Sequence, residues 1–163
     1  MISHLRAPLA LASLFVLLMA SSASASHYRL SSGFELVTDA ERMALKGAKI
    51  HTTADLLQAT AKKRARRTLA KKTRISLKRL TALAQQCDLL RIKGLGPSGV
   101  RLLQAAKVMH VAALKGGNAK ALHSKLQTLK STLALPHVVP SAAELAAWIS
   151  QAKGLKRILE GVR

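Results

Sequence analysis

Gly94 and Gly96 stand on either side of Leu95, and this short turn is the stretch of the chain whose residue types best suit binding chemistry. Glycine has no Cβ atom and readily adopts positive φ, so the turn can leave its N–H groups open to a ligand. Pro97 follows in a position that suits the first turn of a helix. Free N–H groups and the positive end of a helix dipole can cradle a phosphate. The same glycines would also let Leu95 pack closely between two helices, and both interpretations stay open.

Basic residues dominate the segment before this turn. From Leu56 to Cys87 the chain has no Asp or Glu and ten Lys or Arg side chains. These cations repel one another, and an anionic ligand would relieve that repulsion. A fully solvated helix is the alternative interpretation. The residues predicted to form a supporting basic patch are Lys63, Arg64, Arg66, Arg67, Lys71, Lys72 and Arg79.

The residue types that carry catalysis or hold metals are scattered along the chain. There are seven Asp and Glu side chains, and no two of them stand out as a general acid and base. From His27 onward no two histidines have the i, i+3 or i+4 spacing of a helical metal site, and Cys87 is the only cysteine. We therefore expect no enzymatic activity, no metal site and no cofactor.

Helices must position these residues, because Ala, Leu, Lys and Arg dominate and the leucines recur at helical spacing. The capping residues that mark helix starts are Thr52 with Asp55, Ser76, Asn118, and Ser141 with Glu144. The predicted helices span residues 39–48, 53–59, 61–72, 77–88, 98–107, 109–115, 119–132 and 141–153, with an extended joint at 135–140. Leu80, Leu83 and Ala84 share a helix face with Cys87, which predicts a buried thiol. Short connections predict an all-α fold, a compact bundle of short helices.

The glycine turn and its apolar neighbours resemble the helix-hairpin-helix motif, in which an apolar-x-Gly-apolar-Gly sequence precedes the second helix. The residues that carry the resemblance are Leu89, Ile92, Gly94, Leu95, Gly96, Val100 and Leu103. The resemblance implies a hairpin that contacts the backbone of duplex DNA without reading its sequence. The phosphate-binding residues that it implies are Lys93, Gly94, Leu95, Gly96, Ser98 and Arg101.

A longer resemblance runs from Tyr28 to about Leu155, to a bacterial family of tandem helix-hairpin-helix domains described as domain of unknown function 4332. The matching stretches are KIHTTADLLQAT, KKTRISLKRLTALAQQCDLLRIKGLG, ALHSKL and PSAAELAAWISQAK. This resemblance implies a tandem fold and no established activity. We expect the first hairpin to be degenerate, because Leu36 and Thr38 stand where the family has two glycines, and Thr38 can serve as a plain N-cap. Lys107 likewise replaces the glycine that usually ends the second hairpin helix.

The beginning of the chain has the pattern of a secretory signal peptide. Arg6 precedes an apolar run from Leu9 to Ala20, and small residues follow to Ala25. The run is shorter than the roughly 18–20 residues that cross a bilayer, and an uncleaved anchor is the alternative. We therefore expect an exported protein, periplasmic or secreted. The predicted parts are a signal peptide at 1–25, the tandem helix-hairpin-helix domain at 26–155 and a basic C-terminal tail at 156–163.

The formal net charge of +20 makes a polyanion the expected partner. Beyond residue 25 only Tyr28, Phe34 and Trp148 are aromatic, which are few platforms for stacking single-stranded bases. The first functional hypothesis is therefore an exported basic module that binds duplex nucleic acid non-specifically at its phosphates. The second is an envelope scaffold or protein-interaction module held near anionic lipid, glycan or another envelope polymer.

Overall fold

Local capping and packing signals set the helices of this protein. The computed structural model describes residues 27–133 and 138–162, and those residues contain eight helices and no strand. The helices are α1 (Asp39–Gly47), α2 (Thr53–Thr60), α3 (Lys63–Thr73), α4 (Leu77–Leu89), α5 (Gly96–Ala105), α6 (Val111–Lys115), α7 (Ala119–Leu133) and α8 (Ala142–Gly154). The prediction of an all-α bundle of short helices is confirmed.

Side-chain caps begin the helices where the sequence predicts them. The Thr52 hydroxyl accepts from the N–H of Asp55 at 3.1 Å, and the Asp55 carboxylate accepts from the N–H of Thr52 at 2.9 Å. Ser141 and Glu144 form the same reciprocal capping box at α8. Thr38, predicted as a plain N-cap, forms a third box at α1. Each box satisfies N–H groups that a helix start otherwise leaves without partners.

The helices pack as two four-helix units, each with its own hydrophobic cluster. The first unit, α1 to α4, buries a cluster that includes Leu45 and Leu80. The second unit, α5 to α8, buries a cluster that includes Leu103 and Leu126. The last residue of α4, Leu89, belongs to the second cluster, so this helix joins the two units.

Both units begin with the same helix–turn–helix arrangement. Leu103 follows Leu45 in the sequence by the same number of residues as Val108 follows Ile50. The N–H of Ile50 donates to the carbonyl of Leu45 at 3.0 Å, and the N–H of Val108 donates to the carbonyl of Leu103 at 2.8 Å. These bonds close the ends of α1 and α5 in the Schellman pattern, so the chain contains a structural repeat.

The turn before α1 lacks the two glycines of the turn before α5. At the spacing of the repeat, Leu36 stands in the place of Gly94, and its side chain is buried. Thr38 stands in the place of Gly96, where it caps α1 with φ −76°. Because the Thr38 hydroxyl already accepts from the first turn of α1, this turn serves the fold.

The segment that follows α8 crosses back over the first unit. The predicted basic tail is described over residues 156–162, where Leu159 and Val162 are buried in the first hydrophobic cluster. The N–H of Glu160 donates to the carbonyl of Ala61 at 3.0 Å. We call residues 155–162 the C-terminal strap, since they tie the end of the second unit to the first.

Several predicted segments lie outside the described residues. They are the signal peptide at 1–25, residues 135–137 of the predicted joint, and the last residue of the chain. Among the described helices, none is long and apolar enough to cross a membrane.

Candidate phosphate-binding site

The turn before α5, residues 93–98, is named here the glycine turn. Gly94 and Gly96 have φ of +80° and +59°, a conformation that side-chain-bearing residues rarely adopt. A Cβ atom on Gly96 would meet nothing within 4 Å, and one on Gly94 would meet only the Trp148 Nε1 atom, at 3.9 Å. Both glycines are therefore required by backbone conformation, and their outer sides are open.

Leu95 anchors the glycine turn to the second unit. Its side chain is 3% exposed, and its N–H donates to the carbonyl of Ile92 at 3.3 Å. The glycine that makes room for Leu95 is Gly99, where a Cβ atom would lie 2.7 Å from the Leu95 Cδ1 atom. The close packing of Leu95 thus explains why residue 99 is a glycine. The positive φ of the turn explains why residues 94 and 96 are glycines.

The first turn of α5 leaves N–H groups free. In the seven other described helices, the fourth residue after the N-cap donates to the N-cap carbonyl, as Arg42 does to Thr38 at 2.8 Å. The equivalent bond to Leu95 is absent in α5, which also has no side-chain cap. Among the described residues, the N–H groups of Gly94, Gly96 and Ser98 have no hydrogen-bond partner. They can donate to an anion, helped by the helix dipole.

Trp148 adds a fourth free donor beside the glycine turn. Its side chain is 8% exposed and packs against the turn, and its Nε1 atom has no hydrogen-bond partner among the described residues. Trp148 lines a hollow of about 380 Å³ together with Gly94, Ser98 and Glu144. Sequence spacing does not predict this contact, because it depends on how α8 packs against α5.

One carboxylate faces the same hollow. Glu144 accepts from the N–H of Ser141 at 2.8 Å and from its hydroxyl at 2.9 Å. These hydrogen bonds lower the pKa of Glu144 below its usual range, so the carboxylate is charged at neutral pH. Its charge opposes an anion in the hollow.

The side chains predicted to assist the glycine turn differ in how free they are to contact a ligand. Lys93 is exposed, and its own N–H donates to Gln151 Oε1 at 3.0 Å, which fixes the entrance of the turn. Arg101 points to the segment before α1, where its Nη2 atom lies 3.1 Å from the Glu35 carboxylate. Arg101 is therefore partly committed to an ion pair with that segment.

The predicted basic patch is only partly exposed. Five of its members are exposed along α3, and none of them pairs with a carboxylate among the described residues. The exposed members are Lys63, Arg64, Arg67, Lys71 and Lys72.

The prediction is wrong for two members of the basic patch, because the structure places them in contacts within the fold. Arg66 is 2% exposed, because its position on α3 faces inward with Leu69, and its guanidinium donates to backbone carbonyls. Arg79 contacts both carboxylate oxygens of Glu41, at 2.6 and 2.8 Å. This hydrogen-bonded pair raises the pKa of Arg79 and lowers that of Glu41. Both arginines hold the fold and are not free for a ligand.

The remaining reactive groups form no site in the described part of the chain. Cys87 is buried as predicted, and burial raises the pKa of its thiol to about 12, so it stays protonated. Among the described residues, no three His, Cys, Asp or Glu side chains gather in a group that could hold a metal ion.

The fold and the site define an all-α protein of two similar four-helix units, with one open glycine turn at the start of the second. The sequence pattern of the family described as Domain of unknown function (DUF4332) matches residues 35–155, and the protein belongs to this family. The predicted family membership is confirmed. No curated protein and no solved structure matches the chain.

Proposed function

We propose that the protein binds the phosphate backbone of duplex nucleic acid, without reading its sequence, through the glycine turn. The observation that carries this proposal is the set of free N–H groups on Gly94, Gly96 and Ser98, held open above the buried Leu95. Backbone N–H groups at a helix start contact phosphates and carry no base information. The resemblance to helix-hairpin-helix domains supports the same ligand.

The exposed cations of α3 supply the electrostatic part of the proposal. Lys63, Arg64 and Arg67 belong to the first unit, and the glycine turn belongs to the second. We propose that a single extended anion engages both. A duplex is such an anion, because it presents phosphates along its whole length. We propose further that binding takes place outside the cytoplasm, periplasmic or secreted, since residues 1–25 have the pattern of a signal peptide.

A salt-titrated binding measurement with duplex DNA tests the proposal. The logarithm of the affinity should fall linearly with the logarithm of salt concentration, with a slope of about 0.9 for each phosphate neutralised. Replacing Gly94 and Gly96 together by valine should remove most of the binding, because valine resists positive φ and covers the N–H groups. Salt-independent binding would show that phosphates are not the ligand.

The matched control is Gly116→Val, at a glycine whose Cβ atom would also meet nothing within 4 Å but whose φ is −85°. Helix content must be compared by circular dichroism for both proteins. If the double valine variant keeps its helices and binds DNA like the control, the glycine turn is not the phosphate site.

A further inference from the structure

Two apolar hollows lie on the first unit, where the start of α3 meets α2. Each has a volume of about 470 Å³, and they share Lys62 and Ala65. The residues that form the first hollow include Ala59, Ala65 and Leu69 on its floor, with Lys62, Arg64 and Lys72 at its edge. The residues that form the second include Leu57, Ala61, Ala65 and Ile158, with Lys62 and Arg91. We call this region the α2–α3 surface.

The α2–α3 surface combines an apolar floor with a basic edge. No acidic residue lines either hollow, in contrast to the hollow beside the glycine turn, which contains Glu144. Lys62, Arg64 and Lys72 are exposed, and none forms an ion pair with a carboxylate in the described part of the chain. Ile158 of the C-terminal strap leaves an apolar side chain 36% exposed at the same place.

A ligand that fits this surface must be both apolar and anionic. A nucleic acid duplex would satisfy the cations but would place charged phosphates over an alanine and leucine floor. Lys and Arg side chains lay their apolar stems along such a floor and hold their charges at its edge, as they do at membrane interfaces. Each basic residue near an anionic bilayer contributes attraction to the lipid headgroups.

We propose that the α2–α3 surface binds the anionic phospholipids of a membrane, with acyl groups over the hollows and headgroup phosphates at Lys62, Arg64 and Lys72. The charge complementarity and the missing carboxylates select an anionic lipid over a neutral one. This inference does not rest on the proposed nucleic-acid function: the glycine turn takes no part in it, and the two proposals share only exposed cations of α3, among them Arg64 and Lys72.

Vesicle binding of the full chain tests the inference. Sedimentation should show binding to vesicles of phosphatidylglycerol and phosphatidylcholine mixed in equal parts, and weak binding to phosphatidylcholine alone. Lys62→Gln should weaken binding to the mixed vesicles about fivefold, whereas Lys120→Gln, an exposed lysine of α7, should leave it unchanged. Residues 1–26 are the same in every variant, so differences between variants report on the surface.

A second pair of variants tests the apolar floor. Ala65→Gln places a polar side chain at the point shared by both hollows, and Ala121→Gln makes the same change at an exposed site of α7. Only Ala65→Gln should weaken vesicle binding. The part of the binding that survives high salt should also be smaller in this variant than in the wild type. Equal binding by the two glutamine variants would overturn the inference. So would a Lys62→Gln variant that loses affinity for duplex DNA but not for the mixed vesicles, because the surface would then bind nucleic acid.

Discussion

Arg66 and Glu160 lie 94 residues apart in the sequence and are joined by a hydrogen bond of 2.5 Å from the Arg66 Nη2 atom to the Glu160 carbonyl oxygen. The Nη1 atom donates to the carbonyls of Thr60 and Ala61 at 2.6 and 3.1 Å. One buried guanidinium therefore holds the end of α2, the start of α3 and the C-terminal strap together. Burial lowers the pKa of Arg66, yet the side chain stays charged because its ordinary value is far above neutral.

Replacing Arg66 by alanine should lower the free energy of unfolding by about 3 kcal/mol, because it removes the charged donor from the buried carbonyl of Thr60 and from the partly buried carbonyls of Ala61 and Glu160. Arg67→Ala, one residue away and exposed, should change it by less than about 0.5 kcal/mol. Urea denaturation of both variants measures the difference. Similar losses in the two would contradict the anchoring role of Arg66.

Local signals predict much of the fold, whereas the environment of Arg66 depends on distant residues. The Ser141–Glu144 capping box places the start of α8 correctly, because a cap involves only residues three apart. Helical spacing groups Lys63, Arg66, Arg67 and Lys71, but it does not reveal that the carbonyl of Glu160 lies beside Arg66. The same limit hides Trp148 beside Gly94, since packing of α8 against α5 brings them together.

Lys107→Gly should stabilise the protein by up to about 1 kcal/mol. Lys107 adopts φ +68° at the end of α5, a conformation that costs a side-chain-bearing residue more than it costs glycine. Lys46→Gly, inside the last turn of α1, should instead destabilise the protein by about 1 kcal/mol. Urea denaturation distinguishes the two, and a loss of stability in both would show that Lys107 carries contacts that outweigh its backbone strain.

The Glu41–Arg79 ion pair should make stability depend on pH in the acid range. Its hydrogen bonds lower the pKa of Glu41 in the folded protein below the ordinary value of 4.5, so the unfolded chain binds the proton more readily. The contribution of Glu41 to the stability of the fold is therefore fully present above pH 4.5, and it is lost as the pH falls through the pKa of Glu41 in the folded protein. Melting temperatures of the wild type and Glu41→Gln should converge as pH falls. If the melting temperatures of the two proteins keep the same difference throughout this pH range, Glu41 does not have a lowered pKa in the folded protein.

Trp148 should report directly on ligand binding at the glycine turn. It is the only tryptophan of the chain, so its fluorescence should change when duplex DNA is added. Trp148→Phe keeps an aromatic ring beside the turn but removes the Nε1 donor, and it should weaken DNA binding about tenfold. Tyr28→Phe, in the first residues described, is the control and should bind like the wild type. Unchanged DNA affinity in Trp148→Phe would show that the indole N–H does not contact the phosphate.

Glu144→Gln should strengthen DNA binding a few-fold, because it removes a negative charge from the hollow that contains Gly94 and Ser98. The helix cap should survive, since glutamine also completes a capping box with Ser141. Glu160→Gln changes the net charge by the same amount on the C-terminal strap and is the matched control. The measurement is DNA affinity at low and at high salt. The two variants should differ in affinity at low salt and converge at high salt, because screening removes the local repulsion. An equal gain in both variants at low salt would mean that net charge, and not the position of Glu144, governs the attraction.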